Sequence, residues 1–239
     1  MGNNNELDPV NFYDKISSKY NYALDSNPDN MKIRDEVKQY FLKNVSGKIV
    51  LDFGGGSGKD LWWLIRKGFE VNFCEPSRGM REIAIKNTQK GEVSNKVNFI
   101  SELNSNFQNW NKTNLPFVKK VDGILANFAV FNSIRELEKL SEKLALVSKE
   151  NCTLIVSVLQ VDFRKFFSRQ LPFTIKHSLQ GYGLTTRIKD GNNEMVVYLH
   201  TAAKLIKSFS YYFNYVQSFR VQSSTFRLFH FLRNDKEVV

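Results

Sequence analysis

The densest chemical signal in this chain is the run Gly54-Gly55-Gly56-Ser57-Gly58, set between a short apolar stretch, Lys48–Phe53, and a helical stretch, Asp60–Lys67. Glycines there let backbone approach a ligand closely, and the helix start that follows presents free N–H groups. The pairing suits a nucleotide-like ligand. Two common phosphate-binding patterns nevertheless fail. A P-loop built on Gly58-Lys59 needs Gly at 53 and Ser or Thr at 60, where the chain has Phe53 and Asp60. A G-x-G-x-x-G fingerprint started at Gly54 or Gly56 meets Lys59 or Leu61 where its last glycine belongs. Other reactive side chains are sparse. The histidines are His177, His200 and His230, and the cysteines are Cys74 and Cys152. Both cysteines lie in apolar stretches and read as buried thiols, not as a disulfide framework or a zinc site.

The elements that must position the glycine turn follow from hydrophobic spacing. Asp8 before Pro9 marks a helix start, and Phe12, Ile16 and Tyr20 recur at helical spacing through about Tyr22. A second helix, about Asn30–Asn44, carries Ile33, Val37, Tyr40 and Phe41 on one face. Strands and helices then alternate. Strands are expected at Lys48–Phe53, Glu70–Cys74, Val97–Ile100, Val121–Asn127 and Thr153–Leu159. Helices are expected at Asp60–Lys67, Arg78–Gln89 and about Ser133–Lys149. Continuous apolar strands between helices indicate a parallel sheet covered on both faces. After Leu159 the alternation lapses. Asp162–Arg169 reads as a short helix, Gly183–Lys189 and Glu194–His200 as a hairpin, and Ala202–Ser210 as a helix capped by Thr201. Tyr215–Val221 and Thr225–Arg233 read as closing strands.

Composition narrows the class. With 239 residues, 42% of them apolar and 24% charged, the chain has the make-up of an ordinary globular protein. Its aromatic residues supply enough apolar surface to exclude disorder throughout. No apolar run is long enough to span a membrane, and the first ten residues lack a signal peptide's pattern, so a cytoplasmic location is expected. The net charge of +10 is uneven. Residues 1–159 hold 22 basic and 19 acidic side chains, whereas residues 160–239 hold 12 and 5. No internal repeat or linker is visible, which favours one domain over 1–239. It would divide into a helical cap (1–46), a core (47–160), a lid (161–200) and a closing helix with strands (201–239).

The segment Val50-Leu51-Asp52-Phe53-Gly54-Gly55-Gly56-Ser57-Gly58 resembles the first motif, D-x-G-x-G-x-G, of class I S-adenosylmethionine-dependent methyltransferases of the small-molecule type. Tyr13–Asn21 looks like the family's F-D-x-x-A-x-x-Y-D segment, with Asn21 where Asp is commoner. Asp122–Asn127 looks like its fourth-strand motif. The third-strand exit, Ser101-Glu102-Leu103, departs from the family's usual Asp. The resemblance implies an α/β, Rossmann-like fold. The sheet would be doubly wound, seven-stranded and mostly parallel, with an antiparallel last strand, helices on both faces and a small lid insertion after strand five. It implies S-adenosylmethionine as cofactor and S-adenosylhomocysteine as product. Asp52 would attract the ammonium, and the bare backbone of Gly54, Gly55, Gly56 and Gly58 would admit the ligand. Glu75, 23 residues after Asp52, would accept both ribose hydroxyls. Pro76 and Ser77 would flank the cofactor, Glu102 and Leu103 would meet the adenine, and Tyr20 and Arg34 would serve the methionine end. Asn127, at a strand end, is a further ligand candidate.

Three function classes follow. The leading one transfers a methyl group to an O, N or C nucleophile of a small metabolite. Phe163, Phe166, Phe167, Phe173 and Tyr182 suggest an aromatic or apolar acceptor, and Arg164, Lys165, Arg169 and Lys176 an anionic group on it. No catalytic residue is assigned; His177 and His200 are the weak candidates for a general base. The second class, an RNA methyltransferase, draws on the basic last third, but Ala126-Asn127-Phe128-Ala129 stands where N-P-P-Y would be. The third is a non-catalytic cofactor-binding subunit.

Overall fold

The computed structural model describes residues 5–89, 96–160, 183–222 and 224–238. A two-residue strand β1 (Asn5–Glu6) leads into helices α1 (Pro9–Asp25) and α2 (Pro28–Asn44). Both helices open as their sequences demand. The Asp8 carboxylate accepts from the Asn11 N–H at 3.1 Å and the Asn27 side chain from the Asp29 N–H at 3.0 Å, each with proline at the first helical position.

The alternating core follows: β2 (Ile49–Phe53), α3 (Leu61–Arg66), β3 (Glu70–Cys74), α4 (Arg78–Gln89), β4 (Val97–Phe99), α5 (Glu102–Ser105), β5 (Val121–Ala126), α6 (Leu137–Val147) and β6 (Ser148–Leu159). The chain closes with β7 (Thr185–Asp190), β8 (Asn193–Tyr198), α7 (Ala202–Phe209), β9 (Phe213–Arg220) and β10 (Phe226–Arg233). Seven strands form one sheet in the order β4-β3-β2-β5-β6-β10-β9. All pairings from β4 to β6 are parallel, and β10 is antiparallel to both β6 and β9. Side-chain alternation along β2 sends Leu51 and Phe53 into a core with α6 and α7, and Val50 into one with α2, α3 and α4. The sheet is therefore covered on both faces, as the apolar runs require.

Several element ends shift by one or two residues, and three larger differences from expectation stand out. The helix expected from Ser133 opens instead as a single 3-10 turn, Val130–Ser133, before α6 begins at Leu137. Strand β6 starts five residues early, because Ser148 pairs with Val121 across an irregular register that places Asn151 at φ 61°. Strand β1 was not anticipated; it pairs with β8. Within the expected lid, β7 and β8 form the hairpin, and with β1 they make a second sheet. Met195, Val197 and Leu199 pack it against Phe12 of α1. Residues 161–182, including the expected helix Asp162–Arg169, lie outside the described residues.

Candidate active site

Register decides what meets at the carboxyl edge of the sheet. Phe53 pairs with Cys74, and Asp52 pairs with both Phe73 and Leu125. The exits of β2, β3 and β5 therefore lie side by side, at a point where ligands bind in open parallel sheets. Those exits are the glycine turn, Glu75-Pro76 and Asn127-Phe128. They form a narrow cleft of about 100 Å3 with Tyr13 and Tyr20 of α1, Arg34 of α2, Asp60 and Met80. Pro9, Val10, Gly54, Pro76, Val130 and Ser133 also line a neighbouring cavity of about 550 Å3. Together the two spaces fall within the roughly 300–1,000 Å3 of small-ligand pockets.

The turn itself has little freedom. Gly54 sits at φ +69°, and a Cβ there would stand 2.4 Å from Val130 Cγ1. Gly56 sits at φ +57°, yet none of the described residues lies within 4 Å of its Cβ position, so a side chain there would project into the cleft. Glu75 pins this turn. Its Oε2 accepts from the Gly56 N–H and its Oε1 from the Ser77 N–H, both at 2.8 Å. Burial pushes the Glu75 carboxyl up to about 7, despite the two N–H donors that pull the other way. Asp52 is 2% exposed, and its Oδ2 has no partner among the described residues. Burial first, then the Asp60 carboxylate, push its pKa well above the usual range.

Helix α1 closes over this edge. Asp14 Oδ1 accepts from Ser77 Oγ at 2.6 Å and from the Gly79 N–H at 2.8 Å, tying α1 to the start of α4. Lys59 Nζ lies 2.6 Å from Asp25 Oδ2 at the far end of the helix. Tyr13 and Tyr20 meet edge to face at 5.8 Å, and burial raises both phenols above their ordinary pKa.

The structure gathers Tyr20, Arg34, Asp52, Gly54, Gly55, Gly56, Glu75, Pro76 and Asn127 around the one cleft. At Gly58, with φ +80°, a Cβ would instead stand 3.0 Å from Ala84 Cβ, so this glycine serves the approach of α4. Ser77 is buried behind Glu75 as a donor. Glu102 and Leu103 do not line either space. Ser101 caps α5 and leaves both exposed, Leu103 by 73%, and the following residues Ser105–Gln108 line the larger cavity instead. His200 is buried away from the cleft, its Nε2 3.1 Å from the Phe131 carbonyl and 2.9 Å from that of Ile134. His177 lies outside the described residues. Sequence reasoning missed Asp60, Tyr13 and Phe128. The only advance signal for Phe128 was its place after Asn127 at a strand exit.

Residues 28–215 match the model of a family described as a methyltransferase domain. No curated protein matches the chain by sequence. Among solved structures, the chain is similar to the N-methyltransferase NodS from Bradyrhizobium japonicum WM9 in complex with S-adenosyl-L-homocysteine. Identity is 9%, the TM-score is 0.65, and the match covers 95% of this chain and 99% of that one. An S-adenosylmethionine-dependent methyltransferase from Clostridium acetobutylicum ATCC 824 matches at 12% identity and TM-score 0.64, over 93% and 99% of the two chains. The [4+2]-cyclase SpnF matches at 13% identity and TM-score 0.66, over 94% of each.

Proposed function

The chain belongs to the methyltransferase-domain family, and from that premise we propose that it moves a methyl group from S-adenosylmethionine to an O, N or C nucleophile of a small aromatic or apolar metabolite. The observation that carries the cofactor reading is the cleft edge. A buried carboxylate oxygen of Asp52, unpartnered among the described residues, lies against Gly55, where a Cβ would stand 2.7 Å from it, and the next residue, Gly56, leaves its own Cβ position open. Bound S-adenosylmethionine supplies a methyl group activated on a sulfonium.

The chain's residues suit that ligand's polarity. Asp52 offers its free oxygen to an ammonium, and Glu75 keeps acceptor capacity for ribose hydroxyls beyond its two backbone donors. Tyr20 and Arg34 border the same cleft, where they would meet the methionine end. Pro76, with Phe107 in the adjoining cavity, offers apolar surface for an adenine. The Phe128 ring, stacked on Phe226 at 4.8 Å, supports an apolar or aromatic acceptor.

Glu75 and Asp52 are committed to the cofactor on this reading, and no other described cleft residue is a good base. The tyrosines keep their protons, and His200 is engaged by two carbonyls. Catalysis on this reading is positioning in line with the methyl group, with an acceptor atom already nucleophilic. The likeness to a cyclase supports a competing reading, a cofactor-binding protein that transfers no methyl group, since fold does not fix chemistry.

Titration calorimetry with S-adenosylmethionine and S-adenosylhomocysteine tests cofactor binding, and absence of both heats sinks the proposal. Release of S-adenosylhomocysteine across a panel of small acceptors and bulk RNA, with Glu75→Ala as control, tests transfer. Binding without release for any acceptor would favour the competing reading.

A further inference from the structure

Holding the cofactor leaves one group of side chains in the cleft unexplained. Asp60 directly precedes α3, where an acidic residue ordinarily caps the helix, yet its side chain makes no cap bond. Its carboxylate instead collects three side-chain donors. Oδ2 accepts from Arg34 Nη1 at 2.6 Å and Asn127 Nδ2 at 3.0 Å, and Oδ1 accepts from Trp63 Nε1 at 3.0 Å. Asp60 is only 5% exposed. The guanidinium it holds lies 4.5 Å over the Phe128 ring. Asn127 is fixed from its other end, since its Oδ1 accepts from Ser157 Oγ at 2.7 Å. Arg34, Asp60, Asn127 and Phe128 all line the cleft.

An arginine here creates an electrostatic problem. Whatever an arginine gains from the ligand's carboxylate, an unbalanced cation on this wall opposes the sulfonium and the ammonium that the cleft receives. Asp60 balances it at contact distance. Both charges reach the glycine turn, because Asp52 is pushed up by Asp60 and drawn down by Arg34.

We propose that Asp60 is a positioning and charge-compensating residue that orients Arg34 and Asn127 and makes the cleft prefer the cationic sulfonium cofactor over its neutral thioether product. The inference rests on the methyltransferase reading above. The two ligands share ammonium, carboxylate, ribose and adenine, and differ at sulfur by one charge and one methyl group. Any contact of Arg34 with the shared carboxylate cancels in the ratio of the two affinities, so that ratio reports the field at sulfur.

The test is calorimetric. The dissociation constants of S-adenosylmethionine and S-adenosylhomocysteine are measured for the wild type, Asp60→Asn, Arg34→Gln and the double variant. Asp60→Asn leaves Arg34 uncompensated and should shift the ratio about tenfold toward the thioether. Arg34→Gln leaves Asp60 uncompensated and should shift it in the opposite direction by about as much. The double variant should return to within about threefold of the wild type, as a coupled pair requires. A residue needed only for packing would weaken both ligands alike and show no reversal of sign. Should Asp60→Asn fail to fold, Arg34→Gln alone decides by the direction of its shift. A wild type that binds both ligands, with a ratio unmoved or moved in one direction by both variants, overturns this assignment alone. A wild type that binds neither overturns the methyltransferase reading with it.

Discussion

Replacing Glu75 with glutamine removes an ionisable group from the glycine turn and keeps its shape. The wild-type carboxylate is 7% exposed and accepts one backbone N–H on each oxygen. Burial still dominates, and its pKa moves from a usual 4.5 up to about 7. The folded chain therefore keeps a proton that the unfolded chain has already lost. The associated stability is fully present below about pH 4.5 and is lost as pH rises through about 7. That gap corresponds to about 3 kcal/mol, at ~1.4 kcal/mol per pH unit. At about 2–4 °C per kcal/mol for a chain of this size, it amounts to roughly 6–12 °C in Tm. Thermal denaturation of the unliganded protein from pH 4.5 to pH 8 should show the wild type falling by that much more than Glu75→Gln. The surface carboxylates contribute a slope to both proteins, so the difference between curves reports Glu75 together with the smaller share by which its charge pushes Asp52 up. In glutamine, one of the two backbone donors faces an NH2 group in place of an oxygen, and cofactor affinity should fall about 10- to 100-fold by calorimetry. Parallel pH–Tm curves would refute the buried-carboxylate argument, whatever happens to affinity.

Other outcomes follow from single contacts. Gly54→Ala should lower stability by about 2 kcal/mol or more through left-handed strain and the clash with Val130, visible in chemical denaturation. Gly56→Ala, with open space around its Cβ position, should cost about 1–2 kcal/mol of stability and weaken cofactor binding at least as clearly, as calorimetry would show. His200→Ala should cost about 1–3 kcal/mol of stability by leaving the Phe131 and Ile134 carbonyls without their donor, while cofactor affinity stays unchanged. Lost turnover at unchanged Tm would make that histidine catalytic. Burial pushes the Cys152 thiol up to about 12 and raises that of Cys74 further, so neither should react with iodoacetamide at pH 8 in the native protein, as intact-mass measurement would reveal.

Much of the architecture was legible because it is written locally. The proline-led starts of α1 and α2, the apolar runs of β2, β3 and β5, and the hairpin turn at Asp190–Asn193 each depend on neighbours along the chain. The glycine turn was legible for the same reason, since strand, glycines and helix are contiguous. The start of α6 was not, because nothing nearby indicates that residues 130–133 tighten into a 3-10 turn under the second sheet. Glu102 and Leu103 illustrate the same limit. Their spacing from β4 suggests a ligand contact, but the Ser101 cap rotates them outward and brings the next turn to the cavity.

Sequence alone determined the fold class, the family resemblance and the acidic residues at the ends of β2 and β3, since period, turn chemistry and motif spacing are properties of short segments. Only the tertiary structure decided which distant side chains share one cleft. Arg34 and Asp60 stand 26 positions apart, and Asp60 and Asn127 stand 67 apart. The parallel register of β2 with β5, and the docking of α2 beside α3, bring these three together. The same packing takes His200 out of reach by turning its ring to carbonyls on a buried turn. Side-chain types set what each group is able to do, and cross-strand register with helix docking sets which groups do it together.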